Sequence, residues 1–267
     1  MFEFFVVCIL GLIFGSFANV CIYRMPRNMS VIEPNSHCTS CNAFIKWYDN
    51  IPILSWVCLR GKCRFCHEKI GASEIVSEVL TGVVFLVLGK IFFDSYDAAL
   101  SGDAVLIWSR FAVLCILSLF LVFLAIYDGK WGELPTVILI IAAVLGGVYW
   151  GLSLSNFPEY IYHSLGALAV LAGLYELLYI ISKGRWVGDG DALLCIPLAL
   201  VVGNVWLAVF ILFIANTMGC FFAIPSVMRA KNKGDLRHLK IYFGPFLVVA
   251  FFVVLLFSEQ ILSLIVF

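Results

Sequence analysis

The sequence specifies an all-α polytopic membrane protein of about eight transmembrane helices, with a small cytoplasmic loop domain between the first two. Three observations lead there. Of 267 residues, 63% are hydrophobic and only 13% are charged, where a soluble domain carries roughly 25% charge. A water-soluble globule of this length could not hide so much apolar surface. A soluble enzyme, a disordered chain and a secreted disulfide scaffold are thereby excluded. Second, the apolar residues fall in long runs almost free of charge. Third, the basic residues alternate between loops. Lys plus Arg equals Asp plus Glu, 17 each, so no global basic field exists to hold nucleic acid.

The runs are Phe4–Tyr23, Val76–Phe93, Phe111–Tyr127, Pro135–Phe157, Tyr160–Ser182 and Ile241–Ser258. Each approaches the ~20 residues that cross a hydrocarbon core of ~30 Å. A seventh run, Ala192–Met228, carries no charge at all. As one helix it would be about 55 Å long, too long for one crossing. Gly203-Asn204 inside it is a turn signal, so it reads as two spans, the first short. One span plus a re-entrant segment is the alternative reading of 192–228. With the N-terminus outside, 15 of the 17 basic residues fall on the inner side, and only Lys90 and Arg110 lie near an outer end. The outer loop 94–109 carries Asp94, Asp97 and Asp103 instead. This is the positive-inside bias, reached independently of hydropathy. The first run lacks a basic n-region and leads directly into a basic loop, so it is expected to stay as a span rather than be cleaved as a signal peptide. The resulting division is 1–23 as first transmembrane helix, 24–75 as cytoplasmic loop domain and 76–267 as the remaining membrane core. No internal repeat is visible.

Ten cysteines are present. Cys8, Cys21, Cys115, Cys195 and Cys220 lie in spans, where cysteine packs as a small apolar side chain. In the first inner loop, Cys38-x-x-Cys41 and Cys63-x-x-Cys66 are separated by 21 residues. Two such knuckles can close a tetrahedral thiolate shell around Zn²⁺, and a reducing compartment disfavours disulfides. Cys58, His37 and His67 are nearby substitutes, none of them needed. The loop is poor in aliphatic core, so a structural metal is expected to fold it.

Acids at membrane depth are costly and point to function. Asp128 closes the third run, in Tyr127-Asp128-Gly129-Lys130. Asp189 and Asp191 stand in Gly188-Asp189-Gly190-Asp191, before the short span and on the same membrane face. A solvated loop acid would account for Asp128 alone, and a helix N-cap for Asp191 alone. Together they can share one proton, one acting as general base and the other as general acid. Glu176, inside the fifth run, can instead pair or snorkel. Gly244-Pro245 reads as a helix start with proline in the first turn.

These residues bring the chain to a resemblance. Gly15-Ser16-Phe17-Ala18-Asn19-Val20, with Tyr23-Arg24 and Pro26, resembles the N-terminal motif of the type IV prepilin peptidases, which are GxGD aspartic membrane proteases. Asp49-Asn50-Ile51-Pro52, Ser55-Trp56 and Leu59-Arg60-Gly61-Lys62-Cys63-Arg64-x-Cys66 resemble that family's cytoplasmic domain. Asp128 stands seven residues before Pro135 as the family's first catalytic aspartate does, Gly188-x-Gly190-Asp191 fits GxGD, and Phe243-Gly244-Pro245-Phe246 fits a late FGP motif. The resemblance implies an aspartic endopeptidase of the bacterial cytoplasmic (inner) membrane, serving type IV pilus and type II secretion systems. It implies prepilins and pseudopilins as substrates, cut after a Gly ahead of their hydrophobic helix, with Asp128 and Asp191 as the catalytic pair. Members with the four-cysteine loop tend also to N-methylate the new terminus with S-adenosylmethionine. No glycine-rich strand-to-helix turn of the Rossmann kind exists here. A cofactor pocket must therefore come from the loop and the span ends, where Asp49, Asn50 and Glu78 are polar candidates that loop solvation and helix capping also explain. A proton- or ion-coupled transporter would place acids near the bilayer midplane, and a non-catalytic zinc-loop membrane scaffold leaves both aspartates unexplained.

Overall fold

The structure, a computed structural model, describes residues 2–98, 104–154, 159–185, 187–229 and 242–265. Asp103 and the basic residues Lys231, Lys233, Arg237 and Lys240 lie outside the described residues. Those described are helical, with two isolated β-bridges and no strand among them. The helices are α1 (Phe2–Arg24), α2 (Leu54–Cys58), α3 (Ala72–Ala98), α4 (Ala104–Trp131), α5 (Thr136–Ser153), α6 (Glu159–Ser182), α7 (Asp189–Val202), α8 (Val205–Arg229), α9 (Gly244–Leu256) and α10 (Ser258–Ile265). The chain forms two compact units, Met1–Ser101 and Gly102–Phe267.

In the first unit α1 packs along α3. The contact is close because small residues meet. A methyl group on Gly15 would lie 2.8 Å from the Ser77 carbonyl oxygen, and one on Gly11 2.8 Å from that of Thr81. Gly11-x-x-x-Gly15 is thus the small-residue seam by which membrane helices approach when no hydrophobic effect drives them together. Ser77 donates to the Gly15 carbonyl across it at 3.3 Å.

In the second unit the buried positions form stripes at helical spacing. On α4 the stripe is Leu114, Leu117, Leu121, Leu124 and then Asp128. On α7 Cys195, Leu198 and Val202 are buried in the same register as Asp191. On α9 it is Gly244, Leu247, Phe251 and Val254. Spacings of three and four place each set on one helix face. α9 packs on both α4 and α7, and α5 packs on the same two helices. Gly146 of α5 lets the Pro197 turn of α7 come close, since a methyl there would meet Pro197 Cα at 2.8 Å.

The break at Gly203-Asn204 is present. Gly203 takes a left-handed φ of 57° as C-cap of α7, and Asn204 Oδ1 accepts the Trp206 N–H at 2.9 Å as N-cap of α8. Among the described residues six helices are long and apolar enough to cross a membrane, and seven if a bent pair counts as one. α7, at 14 residues, falls short of that test, so eight is reached only when it is counted as the short span. The last run differs from its expected single helix over 241–258. It ends at Leu256 and turns by 73° into α10, where Ser258, Glu259 and Gln260 make the chain amphipathic and suited to an interface rather than a membrane interior. Within the candidate spans 17% to 50% of each apolar window is buried inside the protein. The rest faces outward, as a multi-pass membrane protein requires.

Candidate active site and metal centre

The stripes of α4, α7 and α9 end in the site. Asp128, the last buried position of α4, is 6% exposed. Its Oδ2 accepts the Gly244 N–H at 3.0 Å, so the first turn of α9 offers one of its orphan donors to a carboxylate. That position admits only glycine without displacement, because a methyl on Gly244 would lie 2.8 Å from Asp128 Oδ2. Behind Asp128 the helix closes on Gly132, φ 70°, whose N–H reaches the Asp128 carbonyl at 2.7 Å.

Asp191 is half-buried in the first turn of α7. It is not the N-cap; Gly188 is. Asp191 is the third helical residue, and its Oδ2 accepts the Gly188 N–H at 3.3 Å, the returning half of a capping box. Gly190 allows close passage of Leu134, whose Cδ1 would lie 2.9 Å from a methyl there. The Asp128 and Asp191 carboxyls are close enough to interact electrostatically. Asp189 is exposed and, among the described residues, accepts only the N–H of Gly190, its neighbour, at 2.9 Å. Glu176 is exposed on α6, and the residue before it is buried. Tyr175 is 3% exposed, interacts electrostatically with Asp191, accepts from Asn216 Nδ2 at 3.4 Å and packs its ring 5.6 Å from that of Phe243. Sequence reading passed over Tyr175 and Asn216 because a neutral polar residue in an apolar run carries little signal.

The four cysteines converge in the first unit. The sulfurs of Cys38, Cys41, Cys63 and Cys66 all lie within 4.8 Å of one another, with Cys38 to Cys66 at 3.8 Å. Tetrahedral coordination with bonds of ~2.3 Å separates sulfurs by ~3.8 Å, so the group fits one ion such as zinc. Cys58, His37 and His67 are not members. The halves repeat each other. Cys38 N–H bonds the Ala43 carbonyl and Cys63 N–H that of Glu68; Asn42 N–H bonds the Cys38 carbonyl and His67 N–H that of Cys63. Asn42 and His67, each following the second cysteine, are both left-handed, at φ 55° and 58°. The loop therefore contains an internal repeat, 36–45 and 61–70, missed in the sequence because little beyond the cysteines and a final Ile is shared. Backbone N–H groups of Cys66 and Phe65 lower the Cys63 thiol, while burial and the neighbouring sulfurs raise that of Cys66, as expected of thiols gathered in one shell.

Residues 9–92 match the family described as the bacterial peptidase A24 N-terminal domain, and residues 115–224 match the type IV leader peptidase family. A prepilin leader peptidase/N-methyltransferase of Myxococcus xanthus is 42% identical over 89 residues, 33% of this chain and 27% of that protein. One of Vibrio cholerae is 42% identical over 97 residues, 33% of this chain and 37% of that protein. The chain thus spans well under half the length of these two relatives. One of Neisseria gonorrhoeae is 30% identical over 280 residues, with 95% of this chain and 90% of that protein covered. No solved structure matches. With both family regions in order, and a relative aligned over almost its whole length, the chain belongs to the type IV leader peptidase family.

Proposed function

We propose that the chain is an aspartic endopeptidase that removes the leader of type IV prepilins and pseudopilins at the cytoplasmic boundary of the inner membrane. The observation that supports this reading is that Asp128 and Asp191, each tied to a glycine N–H and each at the end of a buried stripe, lie close enough to interact electrostatically within the region that matches the leader peptidases. A scissile bond ahead of a hydrophobic helix lies at the membrane boundary, where two span-end acids can reach it. Water attacks the scissile carbonyl carbon while one carboxylate takes its proton. The C–N bond then breaks as the other carboxyl gives its proton to the leaving amine. Gly188 beside Asp191 leaves room for an extended substrate backbone, whereas the space at Gly190 is taken by Leu134. Tyr175, held by Asn216, lies close enough to Asp191 to act on it electrostatically.

The relatives are also named as N-methyltransferases, and we extend that second activity to this chain. The methyl donor supplies an electrophilic methyl group; the new terminal amine forms the N–C bond, the S–C bond breaks with its electrons on sulfur, and the amine proton goes to solvent. Zinc on Cys38, Cys41, Cys63 and Cys66 is structural, since four thiolates leave no position for water.

Co-expression with a prepilin tests the pair. The wild type is expected to yield pilin lacking its leader, whereas Asp128→Asn and Asp191→Asn leave it uncut while still reaching the membrane. Asp189→Asn should cleave. Normal processing by either of the first two variants, read as the N-terminus of the product, would overturn the assignment.

A further inference from the structure

On α6 the residues Ser164, Ala167, Leu171 and Tyr175 are buried, at spacings of three and four that place them on one face. Tyr175 continues this stripe with a hydroxyl, seven residues inside the end of the helix at Ser182. A polar group at that depth is costly without partners.

Three helices meet it. From α8, Asn216 Nδ2 donates to the Tyr175 hydroxyl oxygen at 3.4 Å and to the Leu212 carbonyl at 2.8 Å. Both amide hydrogens are thereby used, and the amide is fixed by its own helix. From the start of α9, the Phe243 ring lies 5.6 Å from the tyrosine ring. Phe243 is itself wedged against α8, where a methyl on Gly219 would meet its Cε2 at 2.9 Å. The next residue, Gly244, binds Asp128. From α7, which packs along α6, Asp191 and Cys195 both act on Tyr175 electrostatically. They stand four residues apart, on one face of α7.

One proton is left over. Asn216 is the donor in its bond, so the tyrosine oxygen accepts, and the phenolic O–H has no acceptor among the described residues. Buried donors are almost always satisfied. Of the two groups within electrostatic reach, a thiol is a weak acceptor and a carboxylate a strong one.

We propose that Tyr175 is a positioning residue for leader cleavage: its hydroxyl, oriented by Asn216, donates to the Asp191 carboxylate as the site tightens on substrate. It touches no reacting atom. It turns the Asp191 carboxyl toward Asp128 and the attacking water, and it favours the ionised form. The inference rests on the peptidase reading above. The groups acting on Asp191 are Asp128 of α4, Asp189 and Cys195 of its own helix, and Tyr175. Of the other helices packed on α7, α5 and α9 carry no charged side chain, and α8 carries one, Arg229 at its C-terminus. Tyr149 of α5 acts on Arg110 and Tyr160 instead, and His163 and Glu176 of α6 are exposed.

A donated hydrogen bond lowers the pH at which a carboxyl ionises. Cleavage needs one ionised member of the pair, so losing the bond moves the acid limb of the rate to higher pH. The test is the pH profile of kcat for prepilin cleavage by the purified full-length protein in detergent with added phospholipid. Tyr175→Phe should raise the acid limb by roughly one pH unit, the worth of one hydrogen bond to a charged group. It should also lower kcat roughly tenfold with KM unchanged. Asn216→Ala should move the limb in the same direction by less. Helical circular dichroism reports that the variants are folded. If Tyr175→Phe does not fold, Asn216→Ala, which leaves every ring in place, decides alone. An acid limb that stays where it is in the wild type would reduce Tyr175 to a tie between α6 and α8. That result would overturn the proposal, and wild-type cleavage would leave the peptidase reading standing. A raised KM with unchanged kcat would place the hydroxyl on the substrate and also overturn it. A wild type that cuts no prepilin would overturn both.

Discussion

At the scale of single residues, the acids were readable in advance because a carboxyl at the end of an apolar run stands out chemically. Their partners were not. The group that holds Asp128 is the main-chain N–H of Gly244, and a backbone donor has no sequence signature; Gly244-Pro245 reads only as a helix start. As a capping residue Asp191 stands at the third helical position, three residues after the N-cap at Gly188, because Asp is favoured at an N-cap and an acid also serves three residues later. Gly244→Ala tests the geometry more finely than removing an acid. The added methyl would sit 2.8 Å from Asp128 Oδ2, so the carboxylate or α9 must move. Misplacement of about 1 Å costs on the order of a hundredfold in rate. The expected result is a loss of that size in the rate of prepilin cleavage, with unchanged yield of folded protein. Full activity in this variant would show that the Gly244 contact does not set the position of Asp128.

At the scale of elements, helix existence followed from hydrophobic runs, and the turn at Gly203-Asn204 followed from its residue types. The bend after Leu256 did not, because the run stays apolar to Phe257 and only then turns polar. The knuckles were legible as metal ligands but not as a repeat, since hydrogen bonds carry their similarity. Two outcomes follow at this scale. Purified protein should contain about one zinc per chain; Cys38→Ser should lose it, and with it the ordered 36–70 segment, read as new protease-sensitive sites in that loop. In the membrane, Gly15→Leu would force its side chain into the Ser77 and Glu78 backbone. Overpacking typically costs about 1–3 kcal/mol, and the absence of any room here sets the expectation at the upper end. A lowered thermal midpoint in detergent would register it, and an unchanged midpoint would mean that α1 and α3 do not meet along this seam.

At the scale of the whole molecule, two units carry two kinds of order: a loop whose four cysteines could hold a metal ion beside a pair of close-packed helices, and a bundle whose buried stripes run out into two acids. Composition made the membrane class plain, and the charge asymmetry sets the expected orientation, because both are sums over many residues. What composition could not supply is the meeting of Asp128 with Asp191, which depends on how α5 and α9 each pack against α4 and α7. That meeting is the centre of the account, and it has a direct measurement. Purified wild-type protein in lipid vesicles is incubated with a full-length prepilin, and the intact mass of the pilin is recorded over time beside the same reaction with Asp191→Asn. The wild type is expected to shift the mass by the leader, leaving an N-terminus that begins after the leader's final Gly, and the variant to leave the prepilin intact. An uncut prepilin with the wild type, or the same product formed by Asp191→Asn, would contradict it.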